Sequence, residues 1–307
     1  MSKPIPQPLF ILGSPRSFTS LICAMLGQHP QAYGVPELNL FVADTLGQMW
    51  EWMIKNHHMG LGLHGLLRTV AHLYTGEQTL QSVHSALRWL VRRIPYTTAE
   101  VYLELCEKVA PLRIIDKSPV YSFNPATLTR IRQAFPEAYY LHLVRHPRTQ
   151  GESVMKLNAG MIASALNSYD YSASPPVLDP QILWYAMQRN ILTFLDDVPP
   201  HRRMLLRGED VLGNHAFHLE KICEWLGMST EPDALEAMLH PEQAFFAFPG
   251  PWGANAGVDV NFMINPYFKP KHIRPSTMKG PLPWRSDGKG FHEDVTALAE
   301  KLGYAEL

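Results

Sequence analysis

Two short stretches hold the residue types and spacings from which chemistry can be built. In 13-GSPRSFTS-20 an apolar run gives way to Arg16, Ser17, Phe18, Thr19 and Ser20, after which Leu21, Ile22, Met25 and Leu26 recur at helical spacing. A strand that breaks into hydroxyls and one cation just before a helix start gathers unpaired backbone N–H groups at one point, and that point is an anion site. In 141-LHLVRHPRTQGESVMKL-157 a second apolar strand delivers Arg145 at its carboxyl end, and the helix that follows delivers Ser153 eight positions on. Ligands of open α/β sheets bind beyond the carboxyl ends of the strands, so both stretches can meet one ligand carrying two anionic groups.

A nucleotide triphosphatase would read GxxxxGK[ST] at the first loop, its Lys on the terminal phosphates and its last hydroxyl on magnesium. Here the second Gly and the Lys are absent, and Arg16 is the only cation. Asp116, which ends the run 112-LRIID-116, could imitate the magnesium-binding Asp of such enzymes. A buried strand ending in Asp is common, however, and Lys117 follows at once. The Asp116–Lys117 pair also suits a simple salt bridge at the strand end.

The elements that must position these residues alternate in type. Apolar runs at Leu9–Leu12, 112-LRIID-116, 139-YYLHLV-144 and 203-RMLLR-207 read as strands buried on both faces. Helical patterns lie between them at about 38–55, 79–93, 97–109, 124–134, 180–196 and 214–226, with a last helix over Glu293–Lys301. The alternation predicts an α/β fold with a central, mostly parallel sheet flanked by helices. The segment from about 242 to 284 is rich in Pro, Gly and aromatics, the composition of a lid or binding loop that packs rather than floats. One domain over 1–307 is expected.

Bulk properties narrow the partner. Lys plus Arg number 27 against 28 acidic residues, so no global basic field argues for nucleic acid and any anion site must be local. Cys23, Cys106 and Cys223 form a scattered, odd set without metal-ligand spacing, and no metal is expected. No stretch approaches the roughly 20 apolar residues of a membrane span, and the chain reads as cytoplasmic.

These residues resemble the sulfotransferase family that uses 3′-phosphoadenosine-5′-phosphosulfate (PAPS), whose fold is similar to that of P-loop nucleotide hydrolases. Its first loop reads PxSGTT or PRSGTT in many members; 15-PRSFTS-20 keeps the Arg-Ser and a hydroxyl pair and departs at Phe18 and Ser20. Its second motif places an Arg at a strand end and a Ser eight residues on, as Arg145 and Ser153 do. Agreement continues in 207-RGEDV-211, similar to the family's RYEDL with Gly208 in place of Tyr, in 184-WYAMQRNIL-192 and in 221-KICEWLG-227. The resemblance spans about Leu9 to Gly227.

The resemblance implies PAPS as sulfate donor, with Arg16, Ser17, Phe18, Thr19 and Ser20 around the 5′-phosphosulfate and Arg145 with Ser153 on the 3′-phosphate. It implies that Lys117 steadies the bridging oxygen. Cytosolic aryl sulfotransferases carry a His two residues after that Lys, where this chain has Pro119. Another branch places a Glu just beyond the first helix, and Glu37 in 33-YGVPELNLF-41 stands there as the candidate general base. Pro36-Glu37 equally suits a helix start. His272 is a second acid/base candidate, and Trp284 or Arg285 are candidates for contacts to the nucleotide. The aromatic segments after Ser153 and around 242–275 imply a largely apolar hydroxyl acceptor. The C-terminal stretches 261-NF-262 and 272-HIRPSTMKGPLPW-284 resemble bacterial members that sulfate a carrier-bound acyl chain. Two other readings stay open: a kinase or nucleotide hydrolase using Asp116 and magnesium, and a non-catalytic nucleotide-binding protein.

Overall fold

The computed structural model describes residues 4–56, 62–157, 160–270 and 276–304. Its strands are β1 (Leu9–Leu12), β2 (Ala32–Gly34), β3 (Arg113–Asp116), β4 (Tyr139–Val144), β5 (Tyr169–Asp170), β6 (Val177–Leu178) and β7 (Arg203–Arg207). The first turns of chain after β1, β3 and β4 lead into α1 (Thr19–Gly27), α6 (Pro125–Ala134) and α7 (Pro147–Lys156), with α2 (Leu46–Lys55), α3 (His64–Thr75), α4 (Leu80–Val91) and α5 (Thr98–Val109) between β2 and β3. The rest of the chain adds α8 (Met161–Ala165), α9 (Pro180–Asp196), α10 (Gly208–Gly213), α11 (His215–Leu226), α12 (Pro232–Ala237), α13 (Val260–Ile264) and α14 (Glu293–Lys301).

Five strands form one sheet in the order β2-β3-β1-β4-β7, and every neighbouring pair is parallel. The pair β5–β6 is a small antiparallel hairpin. This is the expected parallel α/β sheet with one strand more than the four read from the sequence. The added strand, β2, is only three residues long and ends in Gly34, too short to carry an apolar pattern.

Strand β1 shows why a continuous apolar run was required. Its side chains alternate between faces with the period of two that any strand has. Phe10 and Leu12 enter one core with Tyr102, Leu128 and Tyr140, whereas Leu9 and Ile11 enter the other with Ile22, Ile115 and Ile222. The first core is largely aromatic: Phe10 stacks on Tyr102 at 5.4 Å and on Tyr140 at 6.0 Å between ring centroids.

Because all five strands of the sheet run the same way, every strand–loop junction that bears a candidate residue opens on one edge. Arg16 follows β1, Glu37 follows β2, Lys117 follows β3, Arg145 follows β4 and Gly208 follows β7. The connection from β1 leads to the far edge at β2 while β4 lies on the other side of β1, so the chain reverses direction across the sheet at β1. Such a switch point leaves a crevice for ligand.

The helix expected over 38–55 is split. A 3-10 turn at Leu40–Val42 comes first, and α2 starts afresh behind a reciprocal cap in which Thr45 Oγ1 accepts from Gln48 N and Gln48 Oε1 accepts from Thr45 N. Residues 35–39 are irregular, so Pro36-Glu37 does not begin a helix. The unread α3 buries Arg68, which donates from Nη2 to Phe248 O (2.6 Å) and from Nη1 to Ala256 O (3.2 Å) and so pins the irregular segment over the sheet edge. Among the described residues no helix is long and apolar enough to cross a membrane.

Candidate active site

The loop between β1 and α1 is held from three sides. Ser14 Oγ and Ser17 Oγ share a hydrogen bond of 2.9 Å, Gln150 of α7 donates to Pro15 O at 2.8 Å, and Arg145 Nη1 donates to Arg16 O at 2.8 Å. These contacts hold Arg16 at φ 68° and Phe18 at φ 63°, in the left-handed region. A side chain there costs roughly 1–2 kcal/mol, and a bulky one persists only where its surroundings over-determine it. Thr19 and Ser20 open α1, whose first backbone amides lack intrahelical partners.

Arg16 donates from Nε to Ser153 Oγ (3.0 Å) and pairs through Nη1 with Asp259. Asp259 also accepts from Asn261 N and Phe262 N and thereby caps α13, while its own N–H donates to Ser20 Oγ at 3.3 Å. Arg145 donates from Nε to Thr149 Oγ1 at 3.1 Å, and the Phe18 ring lies 4.4 Å from its guanidinium carbon. The structure thus brings Arg16, Arg145 and Ser153 together although Ser153 lies 137 residues from Arg16.

Glu37 and Lys117 meet on the other side of the loop. Lys117 Nζ donates to Glu37 Oε1 at 2.6 Å; Lys117 is 2% exposed and Glu37 21%, and both line the same cavity. The Glu37 backbone is clamped. Its N–H donates to Gly257 O at 2.7 Å, and a β-carbon at position 65 would stand 2.2 Å from its carbonyl oxygen, which is why α3 can approach there only with Gly65.

Asp116 is fully buried, and both of its oxygens are taken. Ser118 Oγ donates to Oδ1 at 2.9 Å and Tyr121 OH donates to Oδ2 at 3.0 Å. The same hydroxyls accept from Asn39 N (3.2 Å) and Leu40 N (3.1 Å). Asp116 therefore organises the loop that carries Glu37, and it lines neither of the two cavities at the phosphate loop.

Two cavities meet at the loop. One, of about 210 Å³, is lined by Ser17, Phe18, Arg145, Asn265 and Tyr267. The other, of about 230 Å³, has Glu37 and Lys117 in its wall together with the apolar Val120, Phe123, Met161 and Ile162. Arg16, Thr19, Ser20 and Asp259 line both, so they are the partition between the two cavities.

Other candidates lie elsewhere. Arg285 is buried among Asp170, Asp179 and Asp287, and Trp284 donates to Asp179 Oδ1 at 2.8 Å, so both tie the C-terminal segment to the hairpin and to α9. The group of possible metal ligands found among the described residues, Asp170, Asp179 and His292, is the one that this guanidinium occupies. His272 lies outside the described residues. Sequence reasoning missed Asp259, Ser118 and Tyr121. Asp259 had one usable signal, an Asp just before the short apolar run 260-VNFMI-264.

A family model described as "Sulfotransferase family" matches residues 8–232. No curated protein matches the chain. Among solved structures, the sulfotransferase domain from the curacin biosynthetic pathway superposes with a TM-score of 0.77 at 24% identity, over 98% of this chain and 99% of that one. The sulfotransferase domain of the Synechococcus PCC 7002 olefin synthase gives 0.73 at 25% identity, over 100% and 99%.

Burial of Asp116 pushes its carboxyl up from 3.8 to about 7. The folded protein therefore holds this proton more tightly than the unfolded chain does, and the associated stability is complete below pH 3.8 and lost as pH rises through about 7. His142 and His146, lowered by burial from 6.5 to about 4, have the opposite sign, and they cancel when wild type is compared with Asp116→Asn. The melting temperature of wild type should fall relative to that of the variant between pH 4 and pH 7. Parallel curves would contradict the assignment.

Proposed function

The chain belongs to the sulfotransferase family, and from that premise we propose that it acts as a single domain moving the sulfuryl group of PAPS to a hydroxyl of a largely apolar acceptor. The observation that carries this reading is the shared partition: Arg16, Thr19 and Ser20 face both a cleft suited to phosphates and an apolar pocket with Glu37 and Lys117 in its wall. A group transferred between two substrates must pass such a point.

When bound, PAPS supplies an activated sulfuryl group on its 5′-phosphate. The α1 amides, Ser17, Thr19, Ser20 and Arg16 bind that end, and Arg145 with Ser153 binds the 3′-phosphate. Lys117 and Arg16 stabilise the negative charge that grows on the leaving phosphate, as preorganised cations in a water-poor site do. Glu37, held in place by Lys117 and by the clamp on its backbone, accepts the proton of the acceptor hydroxyl. Protein cations cover the charges, and the reaction calls for no metal.

The acceptor pocket supports an elongated, apolar substrate with its hydroxyl at the inner end. The similar structures come from a biosynthetic pathway and an olefin synthase, and this supports a biosynthetic intermediate, such as an acyl chain on a carrier, as the acceptor. Mass spectrometry of a metabolite extract incubated with the enzyme and PAPS, searched for new sulfate esters, tests the activity. Catalytically silent protein that still binds the nucleotide would point to a binding role instead.

Adenosine 3′,5′-bisphosphate should raise the melting temperature without added metal; a response to ATP that requires magnesium would favour a kinase or hydrolase. Arg145→Ala should weaken bisphosphate binding by ~1.5–3 kcal/mol, the value of a charge-assisted contact, beyond whatever loss adenosine 5′-phosphate shows from the loosened loop. Calorimetric titration of both ligands measures the difference.

Glu37→Gln keeps the size of the side chain and removes the basic oxygen. Turnover should drop by ~10²–10⁴-fold while bisphosphate affinity holds. Turnover within a few-fold of wild type would take Glu37 out of the mechanism and direct attention to His272.

A further inference from the structure

We propose that Phe18 is a specificity-determining residue of the nucleotide site, whose ring fills the volume left open at Gly208 and holds the Arg145 guanidinium in place for the 3′-phosphate. The proposal rests on the donor reading given above. Three observations on different elements converge on it.

Phe18 adopts φ 63°, a conformation that a bulky side chain keeps only under constraint. Its ring cannot share space with any side chain at position 208, since a β-carbon there would stand 2.5 Å from Phe18 Cδ2 and 3.3 Å from Cε2. The backbone around Gly208 is anchored through its neighbours. The next residue, Glu209, accepts from His146 N and from Tyr304 OH, both at 2.9 Å, and Arg207 is paired with Asp210.

The third observation is the ring's other contact. The Phe18 ring lies 4.4 Å from the Arg145 guanidinium carbon, within the range of a cation–π interaction. Thr149 Oγ1 takes Nε and the Arg16 carbonyl takes Nη1, while among the described residues no hydrogen bond engages Nη2. Ring and hydrogen bonds together fix the plane of a fork that lines the cleft. A planar guanidinium reads a phosphate by geometry as well as by charge, so a fixed plane favours a ligand with a phosphate at that point over one without it.

The aromatic ring that the family motif offers from the 208 position thus comes here from the phosphate loop, and the two departures, Phe18 and Gly208, form one complementary pair. An exchange of the two positions should therefore be tolerated better than either change alone.

The test uses the full chain and two probes, adenosine 3′,5′-bisphosphate and adenosine 5′-phosphate, titrated calorimetrically with melting temperatures taken on the same preparations. Phe18→Leu keeps apolar bulk and the same backbone demand but has no ring face. It should narrow the preference for the bisphosphate by about 5- to 30-fold, the span of a half-buried to desolvated cation–π contact, through a larger loss on the bisphosphate than on adenosine 5′-phosphate. Phe18→Tyr should retain the preference. Gly208→Tyr should weaken binding, and the double variant Phe18→Gly, Gly208→Tyr should recover most of it. An unchanged preference in Phe18→Leu, or equal losses on both probes, overturns the proposal. Should Phe18→Leu fail to fold, the double variant decides: a double variant no better than Gly208→Tyr overturns it. A wild type that does not prefer the bisphosphate refutes the donor reading itself, and that result appears before any substitution is made.

Discussion

The site depends on one buried carboxylate that touches no cavity. Asp116 takes a hydrogen bond from Ser118 and another from Tyr121, and each of those hydroxyls takes one from a backbone amide, at Asn39 and Leu40. The loop after β2 is thereby fastened to the end of β3 by two parallel relays, in a place where an unpaired amide would cost about 1–3 kcal/mol. Lys117 is the next residue after the carboxylate, and Glu37 sits two residues before the first fastened amide. The ion pair between them is a consequence of the relays rather than an independent choice.

The same logic extends to the rest of the sheet edge. In a parallel sheet the carboxyl ends share an edge, so residues that are scattered from 16 to 208 in sequence must converge. What remains is orientation, and each strand end solves it differently: a cap of left-handed residues after β1, a carboxylate relay after β3, an arginine pinned by Thr149 after β4, and a bare backbone at Gly208 after β7.

This division explains which features were legible in the sequence. The strands β1, β3 and β4 were readable because burial demands unbroken apolar runs; β7 was read the same way but lies at the sheet edge with Leu205 exposed rather than buried on both faces. Arg145 with Ser153 was readable because strand end and helix lie within one short stretch. Strand β2 was not, since three residues ending in Gly hold no pattern, and α3 was not, since its polar Arg68 is spent on carbonyls 180 and 188 residues away. Asp259 belongs to the same class. Its partner Arg16 lies 243 residues away, and local sequence carries no trace of a contact made that far along the chain. Phe18 and Gly208 were visible as two separate departures from a motif; only the structure shows that they touch.

Arg145 resolves the remaining energetic question. Two consecutive turns of the phosphate loop, at Arg16 and Phe18, sit in a region that costs each of them roughly 1–2 kcal/mol. One side chain from the neighbouring strand meets both, with a hydrogen bond to the Arg16 carbonyl and a stacked contact with the Phe18 ring. A charged hydrogen bond contributes about 1.5–3 kcal/mol and a cation–π contact about 0.5–2 kcal/mol, which together match the strain of the loop. The cation assigned to the far end of the nucleotide is therefore also the support of the loop at its near end. Loop shape and phosphate recognition are consequently set by the same residue.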